Sequence, residues 1–256
     1  TGALAQYTQR PMQFLEHLFK SISTRALPSA CIACQSFQSK SICDTCLLLL
    51  ENNSLTQYEC CYQCGIPLKC QALADQQCTE CKMSPPFFDE TYCLDRYDGI
   101  LQTALHQLKY QRRVAIAHGL ADAWNHIQFD RMQHRYPAHL LPVPLSEQKL
   151  LARGFNQSWE IARRICCNER IHKLPYALKR HHRADNQVKK SLYARQDAVR
   201  DIFYVSPQYQ DHLIGKTVIV FDDVMTSGAT LNEIARTLKR IGVLRVINWV
   251  LLRTTI

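Results

Sequence analysis

Residues 222–230 bring together the side chains with the clearest capacity for chemistry. Two aspartates are followed by a turn rich in hydroxyl groups and glycine, and the turn opens a helix-like segment. Main-chain N–H groups in such a turn, helped by the hydroxyls of Thr226, Ser227 and Thr230, can surround a phosphate at the positive end of a helix dipole. Gly228 allows the backbone to approach the ligand closely. The predicted phosphate-binding residues are Val224, Met225, Thr226, Ser227, Gly228, Ala229 and Thr230.

Asp222 and Asp223 follow the apolar run at 218–221 and suit a sugar better than a phosphate. A carboxylate beside a phosphate repels it, whereas acceptors at the carboxyl end of a buried strand can bind both hydroxyls of a ribose. Both acids are therefore the predicted catalytic residues. The alternative is ordinary capping and turn formation, for which Asp, Ser, Thr and Gly are all common.

Arg153 is a further candidate for the ligand site, because a guanidinium binds phosphate oxygens through two parallel hydrogen bonds. It would pair with a diphosphate. A solvated arginine at a helix boundary is the alternative, and the residues alone favour neither interpretation. Lys109 lies in a basic interruption of the helix-like segment 103–124 and has the same two interpretations.

Cysteine is concentrated between Cys31 and Cys93, which hold 11 of the 13 cysteines. Eight of these form four pairs with a two-residue gap, the spacing that places two thiolates on one side of a metal ion. Nothing in the sequence directs export to an oxidising compartment, so structural zinc is favoured over a disulfide framework. One or two ions are compatible with the spacing, in sequential or interleaved pairing. The predicted ligands are Cys31, Cys34, Cys43, Cys46, Cys61, Cys64, Cys78 and Cys81.

The positive charge of the chain is concentrated in residues 149–200. This segment holds 13 basic and 4 acidic side chains, an excess equal to the net charge of +9 for the whole chain. Such a patch attracts polyanions, either phosphorylated small molecules or nucleic acid, although a solvated helical face has a similar composition. The predicted nucleic-acid-binding residues are Lys179, Arg180, Arg183, Lys189 and Lys190.

The 256 residues, 46% of them hydrophobic, are enough to bury a substantial core. The apolar run at 47–50 is far shorter than the roughly 20 residues that cross a bilayer, and no signal-peptide pattern opens the chain, so a cytoplasmic protein is predicted. Residues 12–22 have apolar side chains at helical spacing. That amphipathic segment could pack on the protein itself, on a partner or on the inner face of the membrane.

The pattern of apolar and polar residues changes at the Pro85–Pro86 pair. Beyond it, apolar strand-like runs alternate with helix-like segments. This alternation is typical of an α/β fold, a sheet flanked by helices. Predicted strands lie at 140–145, 218–221 and 246–252, and predicted helices at 103–124, 155–165 and 231–241. The predicted parts are an N-terminal helical segment (1–28), a cysteine-rich zinc module (29–84) and the α/β domain (85–256).

Two sets of motifs resemble known families. The strand, acid pair and hydroxyl-glycine loop at 218–231 resemble the 5-phosphoribosyl diphosphate (PRPP) motif of type I phosphoribosyltransferases. That resemblance implies a parallel sheet, a bound PRPP with Mg²⁺, acids on the ribose hydroxyls and a loop on the 5′-phosphate. A longer series of features resembles the ComF family of competence proteins, which includes the GntX-like proteins. In chain order, the series consists of the cysteine module, the Lys109 segment, the proline-flanked strand at 142–146, the Arg-Gly-Phe-Asn-Gln run at 153–157 and the basic loop.

The ComF resemblance implies a zinc module joined to a phosphoribosyltransferase-like domain that handles incoming single-stranded DNA during natural transformation. The implied partners are single-stranded DNA, PRPP or a related sugar phosphate, and a competence helicase or translocase. An active PRPP-dependent phosphoribosyltransferase with an unidentified small-molecule or nucleotide acceptor is the alternative. The roles that the family resemblance implies carry over least well to residues 179–203, because Ala198 and Ile202 depart from the family pattern.

Overall fold

The computed structural model describes residues 29–69, 74–128, 137–181 and 201–255. The predicted N-terminal segment 1–28 lies outside the described residues, as do Arg183, Lys189 and Lys190. Within the described ranges, no helix combines the length and the apolar character needed to span a bilayer.

A five-stranded parallel sheet forms the centre of the fold. The described residues contain nine strands in all, five of which belong to this sheet. They are β1 (Ser29–Ala30), β2 (Phe37–Gln38), β3 (Glu90–Arg96), β4 (Ala138–Pro142), β5 (Ile171–Lys173), β6 (Leu178–Arg180), β7 (Phe203–Val205), β8 (Thr217–Met225) and β9 (Arg245–Arg253). The sheet has the order β3-β9-β8-β4-β5, with every neighbouring pair parallel. Two antiparallel pairs, β1 with β2 and β6 with β7, lie apart from it.

Helices connect the parallel strands, as parallel pairing requires. They are α1 (Asp44–Asn53), α2 (Thr79–Met83), α3 (Gln102–Tyr110), α4 (Ile116–Gln128), α5 (Glu147–Arg153), α6 (Gln157–Ala162), α7 (Pro207–Leu213) and α8 (Ala229–Arg240), with a 3₁₀ turn at Leu55–Gln57. The predicted α/β class, a parallel sheet flanked by helices, is confirmed.

Both faces of the sheet are buried, which explains why its central strands are apolar without alternation. Phe221 and Trp249 point to one face, where Trp124 of α4 packs against both rings at centroid distances of 5.7 Å. Val220 and Val250 point to the other face, which α8 and the β6–β7 hairpin cover. Burying a large side chain of this kind contributes about 1.5–3 kcal/mol, so this two-sided core holds the sheet in place.

The cysteine-rich segment shares these cores. Cys31 and Cys46 belong to the core on the α4 side, whereas Cys64 packs against the core on the α8 side. A Cβ on Gly119 of α4 would lie 2.8 Å from a methyl carbon of Ile32, so the first cysteine loop lies directly on the helix backbone. The boundaries at 28/29 and 84/85 stay predictions.

One predicted helix differs from the structure. The segment 103–124 forms two helices, α3 and α4, because the backbone of Arg112 has a positive φ of 54°. A residue in that region ends an α-helix. The break falls at the basic interruption of the sequence. The predicted strand at 140–145 begins two residues earlier, at Ala138, and ends at Pro142.

We expect Gly119→Val to destabilise the protein by about 1–3 kcal/mol, because the added methyl groups collide with Ile32. Urea unfolding followed by circular dichroism measures the change. The double variant Gly119→Val/Ile32→Ala removes the collision and should lose less stability than the sum of the two single variants. Additive losses would show that the first cysteine loop does not lie on this helix.

Candidate functional site

The predicted phosphate-binding loop lies between the carboxyl end of β8 and the first turn of α8. Gly228 precedes the helix with a φ of 79°, in the left-handed region that favours glycine. A Cβ at Gly228 would also lie 2.6 Å from the terminal methyl of Met225. Only glycine fits this turn without rearrangement, as expected for a loop that approaches a ligand with its backbone.

The loop offers main-chain donors to a ligand. Among the described residues, no acceptor takes the N–H groups of Thr226, Ser227 or Gly228. Thr226 and Ser227 are exposed, and the loop lines an open cleft together with Asp222. Unpaired amides at the start of a twelve-residue helix are the arrangement that binds an anion.

The acid pair lies beside this loop and is almost fully buried, with 8% of Asp222 and 3% of Asp223 exposed. Asp222 lines the cleft. The Lys109 ammonium forms an ion pair with Asp223, whose other oxygen accepts a hydrogen bond from Gln157 Nε2 at 3.1 Å. The structure therefore joins Lys109 to the acids rather than leaving it in solvent.

The two carboxyl groups have opposite pKa shifts. Burial and the neighbouring charge of Asp223 raise the pKa of Asp222 well above its usual range. Burial also acts to raise the pKa of Asp223, but the Lys109 ammonium and the hydrogen bonds from Lys109 and Gln157 outweigh it and lower that pKa. The two buried carboxyl groups therefore differ in how readily they ionise, Asp223 more readily than Asp222.

Helix α6 supplies polar partners of the acids that sequence reasoning missed. The Asn156 side chain caps the helix by accepting from the N–H of Ser158 at 3.0 Å. The Ser158 hydroxyl lies 3.4 Å from Asp223 Oδ1, and Gln157 adds the hydrogen bond described above. Both follow directly after the Arg-Gly-Phe-Asn run, so their position in that motif was the available signal.

Arg153 lies at the end of α5, where it reaches the acids indirectly. Its guanidinium donates to Gln157 Oε1, the same side chain that donates to Asp223. It also lies 5.9 Å from the ring centroid of Tyr110, which is 67% exposed. The structure thus places Arg153 beside the acid pair and an exposed aromatic ring.

The eight predicted metal ligands form two groups in sequential pairing. The sulfur atoms within each group lie within 4.8 Å of one another. A tetrahedral zinc site with bonds of about 2.3 Å separates its sulfurs by about 3.8 Å. The Cys34–Cys43 and Cys64–Cys78 sulfur distances are both 3.7 Å, so each group fits such an ion. We name them the first cluster (Cys31, Cys34, Cys43 and Cys46) and the second cluster (Cys61, Cys64, Cys78 and Cys81).

Lys179 and Arg180, two of the predicted nucleic-acid-binding residues, lie on β6. Lys179 pairs with Tyr204 across the hairpin, and its ammonium lies 5.4 Å from the ring centroid of Tyr176. The structure therefore places the Lys179 cation beside the Tyr176 ring, next to the β6–β7 hairpin.

Comparisons with known proteins agree with this architecture. The phosphoribosyl transferase domain family matches residues 160–255. DNA utilization protein YhgH of Salmonella typhimurium is 28% identical over 243 residues, which cover 89% of this chain and 98% of the relative. Competence protein F of Haemophilus influenzae is 25% identical over 229 residues, covering 87% and 96%. Competence protein ComFC of Bacillus subtilis is 23% identical over 229 residues, covering 83% and 89%.

The parallel sheet, the loop between β8 and α8 and the family match define a phosphoribosyltransferase-like domain preceded by two tetracysteine groups. The similarity to competence and DNA-utilization proteins extends over most of the chain. These relatives confirm the predicted resemblance to the ComF family of competence proteins.

We expect Lys109→Met to destabilise the protein by about 3 kcal/mol at neutral pH, because it leaves Asp223 buried without its cation. The pKa of Asp223 is lowered in the folded protein, so its contribution is present above the unfolded pKa and is lost as the pH falls through the folded pKa. The stability difference between variant and parent should therefore shrink as the pH falls below about 4.

Urea unfolding at several pH values measures this difference. Lys109→Met/Asp223→Asn should recover part of the loss, and Lys216→Met, at an exposed position, serves as the control. A loss that is independent of pH, or equal in the control, would contradict the ion pair.

Proposed function

We propose that the loop between β8 and α8 binds the 5′-phosphate of PRPP or of a related sugar phosphate. The observation that carries this proposal is the set of N–H groups at Thr226, Ser227 and Gly228 that have no acceptor among the described residues, beside the Asp222 carboxyl group. A ribose extending from the phosphate reaches the acids, whose oxygens accept from its hydroxyls. The roles of all seven loop residues and of both acids belong to this proposal.

Mg²⁺ accompanies the diphosphate of PRPP in this proposal. Hard oxygen donors suit Mg²⁺, and the cleft supplies the Asp222 carboxyl group next to the position of the ribose. The ion neutralises diphosphate charge when bound. Arg153 lies one hydrogen-bonded side chain away from Asp223 and adds positive charge on the same side.

We also propose that the protein handles single-stranded DNA through the β6–β7 hairpin. The hairpin turns Leu178, Phe203 and Val205 inward, and the Tyr204 ring lies on the outside. His181 stacks on Tyr204 at a centroid distance of 4.2 Å, and Tyr176, which is 62% exposed, lies next to Lys179. Aromatic faces next to cations are the means by which proteins bind single strands without sequence preference.

The two tetracysteine clusters are proposed to bind one zinc ion each in structural sites. Four thiolates leave no open coordination position, so the ions would stabilise the two short loops rather than perform chemistry. Segments of this length bury too little apolar surface to order themselves alone.

The names of the relatives support a role in DNA utilization or competence. We propose a cytoplasmic protein that acts where incoming DNA emerges at the inner face of the membrane, with a helicase or translocase as partner. Segment 1–28, outside the described residues, is the proposed point of peripheral membrane attachment.

Transferase activity is the second candidate function, and one observation favours it. An acceptor needs a surface beside the ribose, and Tyr110, exposed next to Lys109 and Arg153, offers an aromatic face there. A nucleobase or nucleotide could stack on it. Release of diphosphate from PRPP in the presence of such an acceptor distinguishes an enzyme from a ligand-binding domain.

We expect Ser227→Glu to weaken PRPP binding about 100-fold, because a carboxylate placed among the loop amides repels the phosphate. Isothermal titration calorimetry with PRPP and Mg²⁺ measures the affinity. Gln208→Glu makes the same charge change on the exposed surface of α7 and should leave binding unchanged. A parent protein that gives no heat with millimolar PRPP would refute the ligand assignment.

We expect Lys179→Gln and Tyr204→Ala to weaken binding of an oligothymidylate in different ways. Loss of a phosphate contact should reduce the slope of log affinity against log salt by about 1. Loss of a stacking ring should cost about 1–3 kcal/mol without changing that slope.

Fluorescence anisotropy across a salt series separates the two effects. Lys216→Gln and Tyr58→Ala are the matched controls on other exposed surfaces. Affinities of the hairpin variants equal to those of their controls would remove the hairpin from the proposed DNA surface.

A further inference from the structure

Arg253 connects the second cluster to the phosphate-binding loop. It ends β9 and is 7% exposed. Its Nε donates to the Cys64 carbonyl at 3.0 Å, and its Nη1 donates to the carbonyl of Met225 at 3.2 Å and to that of Thr226. Across the described ranges no carboxylate forms an ion pair with this guanidinium. Backbone carbonyls therefore stabilise the buried cation.

These hydrogen bonds help to fix the orientation of the loop amides, together with the Thr254 N–H, which donates to the Met225 carbonyl at 3.1 Å. The peptide bonds of the described residues are trans, so the C=O and the N–H of one peptide unit point in opposite directions. When the carbonyls of Met225 and Thr226 point to Arg253, the N–H groups of Thr226 and Ser227 point away from it. These are two of the unpaired amides proposed to bind the phosphate. The guanidinium also places a positive charge behind the loop.

Arg253 Nη1 also donates to the Thr254 carbonyl at 2.6 Å, and the remaining partner, the Cys64 carbonyl, belongs to a ligand residue of the second cluster. The turn around it is tight, because the Gly65 N–H donates to the Cys61 carbonyl at 2.8 Å and the Cys61 N–H donates to the Ile66 carbonyl at 2.8 Å. Gly65 itself has a φ of 69° and lies against the Cys93 sulfur. A metal bound by Cys61 and Cys64 would hold this turn and, with it, the carbonyl that meets Arg253.

The first cluster has different neighbours. Its loop packs on α4, where Ile32 lies against Gly119 and the Ser41 hydroxyl donates to Asp122. The two clusters are otherwise alike. Cys43 and Cys78 cap helices α1 and α2 through their sulfurs, which accept from the N–H groups of Cys46 and Cys81. The chain thus contains its own matched control.

We propose that Arg253 is a positioning residue that couples the second cluster to the phosphate-binding loop. Metal in the second cluster holds the Cys64 carbonyl, the carbonyl holds the guanidinium, and the guanidinium keeps the Thr226 and Ser227 amides directed into the cleft. Affinity for a phosphoryl ligand then depends on metal in the second cluster and not on metal in the first. The ligand part of this inference rests on the proposed function.

The test compares Cys81→Ser with Cys46→Ser in the full zinc-loaded chain. Loss of one ion from either cluster is confirmed by elemental analysis. Cys81→Ser should weaken PRPP binding about 10-fold and lower the ¹⁵N order parameters of Thr226 and Ser227 from about 0.85 towards about 0.6. Cys46→Ser should change neither quantity. In an Arg253→Lys background, Cys81→Ser should have little further effect, because lysine lacks the planar fork that bridges the carbonyls.

Equal effects of the two cysteine variants, or additive effects of Cys81→Ser and Arg253→Lys, would overturn the coupling. If Cys81→Ser does not fold, Arg253→Lys alone decides, since the coupling requires lower order parameters in the loop at unchanged zinc content. A parent protein that binds no PRPP refutes the proposed ligand, whereas the order parameters still test the coupling. The two failures are therefore distinguishable.

Discussion

The proposed ligand site depends on a few main-chain amides that have no hydrogen-bond acceptor among the described residues. Folded proteins pair nearly all of their backbone polar groups, because an unpaired group loses the hydrogen bond it made to water. Within the part of the chain that the structure describes, the turn after β8 is an exception at Thr226, Ser227 and Gly228, which line an open cleft where Thr226 and Ser227 are exposed. Such a turn persists only if the structure around it prevents the amides from finding carbonyls nearby. Gly228 and Arg253 meet this need from opposite sides, one through its φ and the other by binding the loop carbonyls.

The same sheet that places the loop also places the acid pair where ionisation is costly. Two buried carboxyl groups next to each other cannot both hold a full charge without compensation. The compensation comes from two separate parts of the chain, Lys109 of α3 and residues Gln157 and Ser158 of α6. A sugar that replaces some of these contacts exchanges one set of hydrogen bonds for another. The two acids thus differ in how readily they ionise, because Asp223 forms the ion pair with Lys109.

Local sequence patterns predicted the parts of this site that are contiguous in the chain. The strand, acids and loop at 218–230 follow one another, and the two-residue cysteine gap is equally local. The remaining features depend on tertiary structure. Which cysteine pairs combine depends on loop paths that spacing does not encode, and the break at Arg112 depends on a backbone angle that several residues could adopt. Arg253 is the clearest example of a residue whose contacts the sequence does not predict, because in the sequence it is only the polar residue at the end of an apolar strand.

The shared core explains why the cysteine segment has a place in a domain that already has a sheet. A metal-bound loop is small, yet its backbone is rigid, so it can hold a carbonyl or a side chain at one position without a large core of its own. The first cluster uses this rigidity against the backbone of α4 at Gly119. The loop of the second cluster lies at the far end of β9, where its Cys64 carbonyl accepts a hydrogen bond from Arg253. Arg253 needs carbonyl partners because no carboxylate of the described residues forms an ion pair with it. A carboxylate at that position would cancel the positive charge behind the loop, whereas a carbonyl stabilises the guanidinium and leaves its charge available to an anion. In the proposed arrangement, two clusters of the same chemistry contribute differently, the first to packing on α4 and the second to the electrostatics of the phosphate-binding loop.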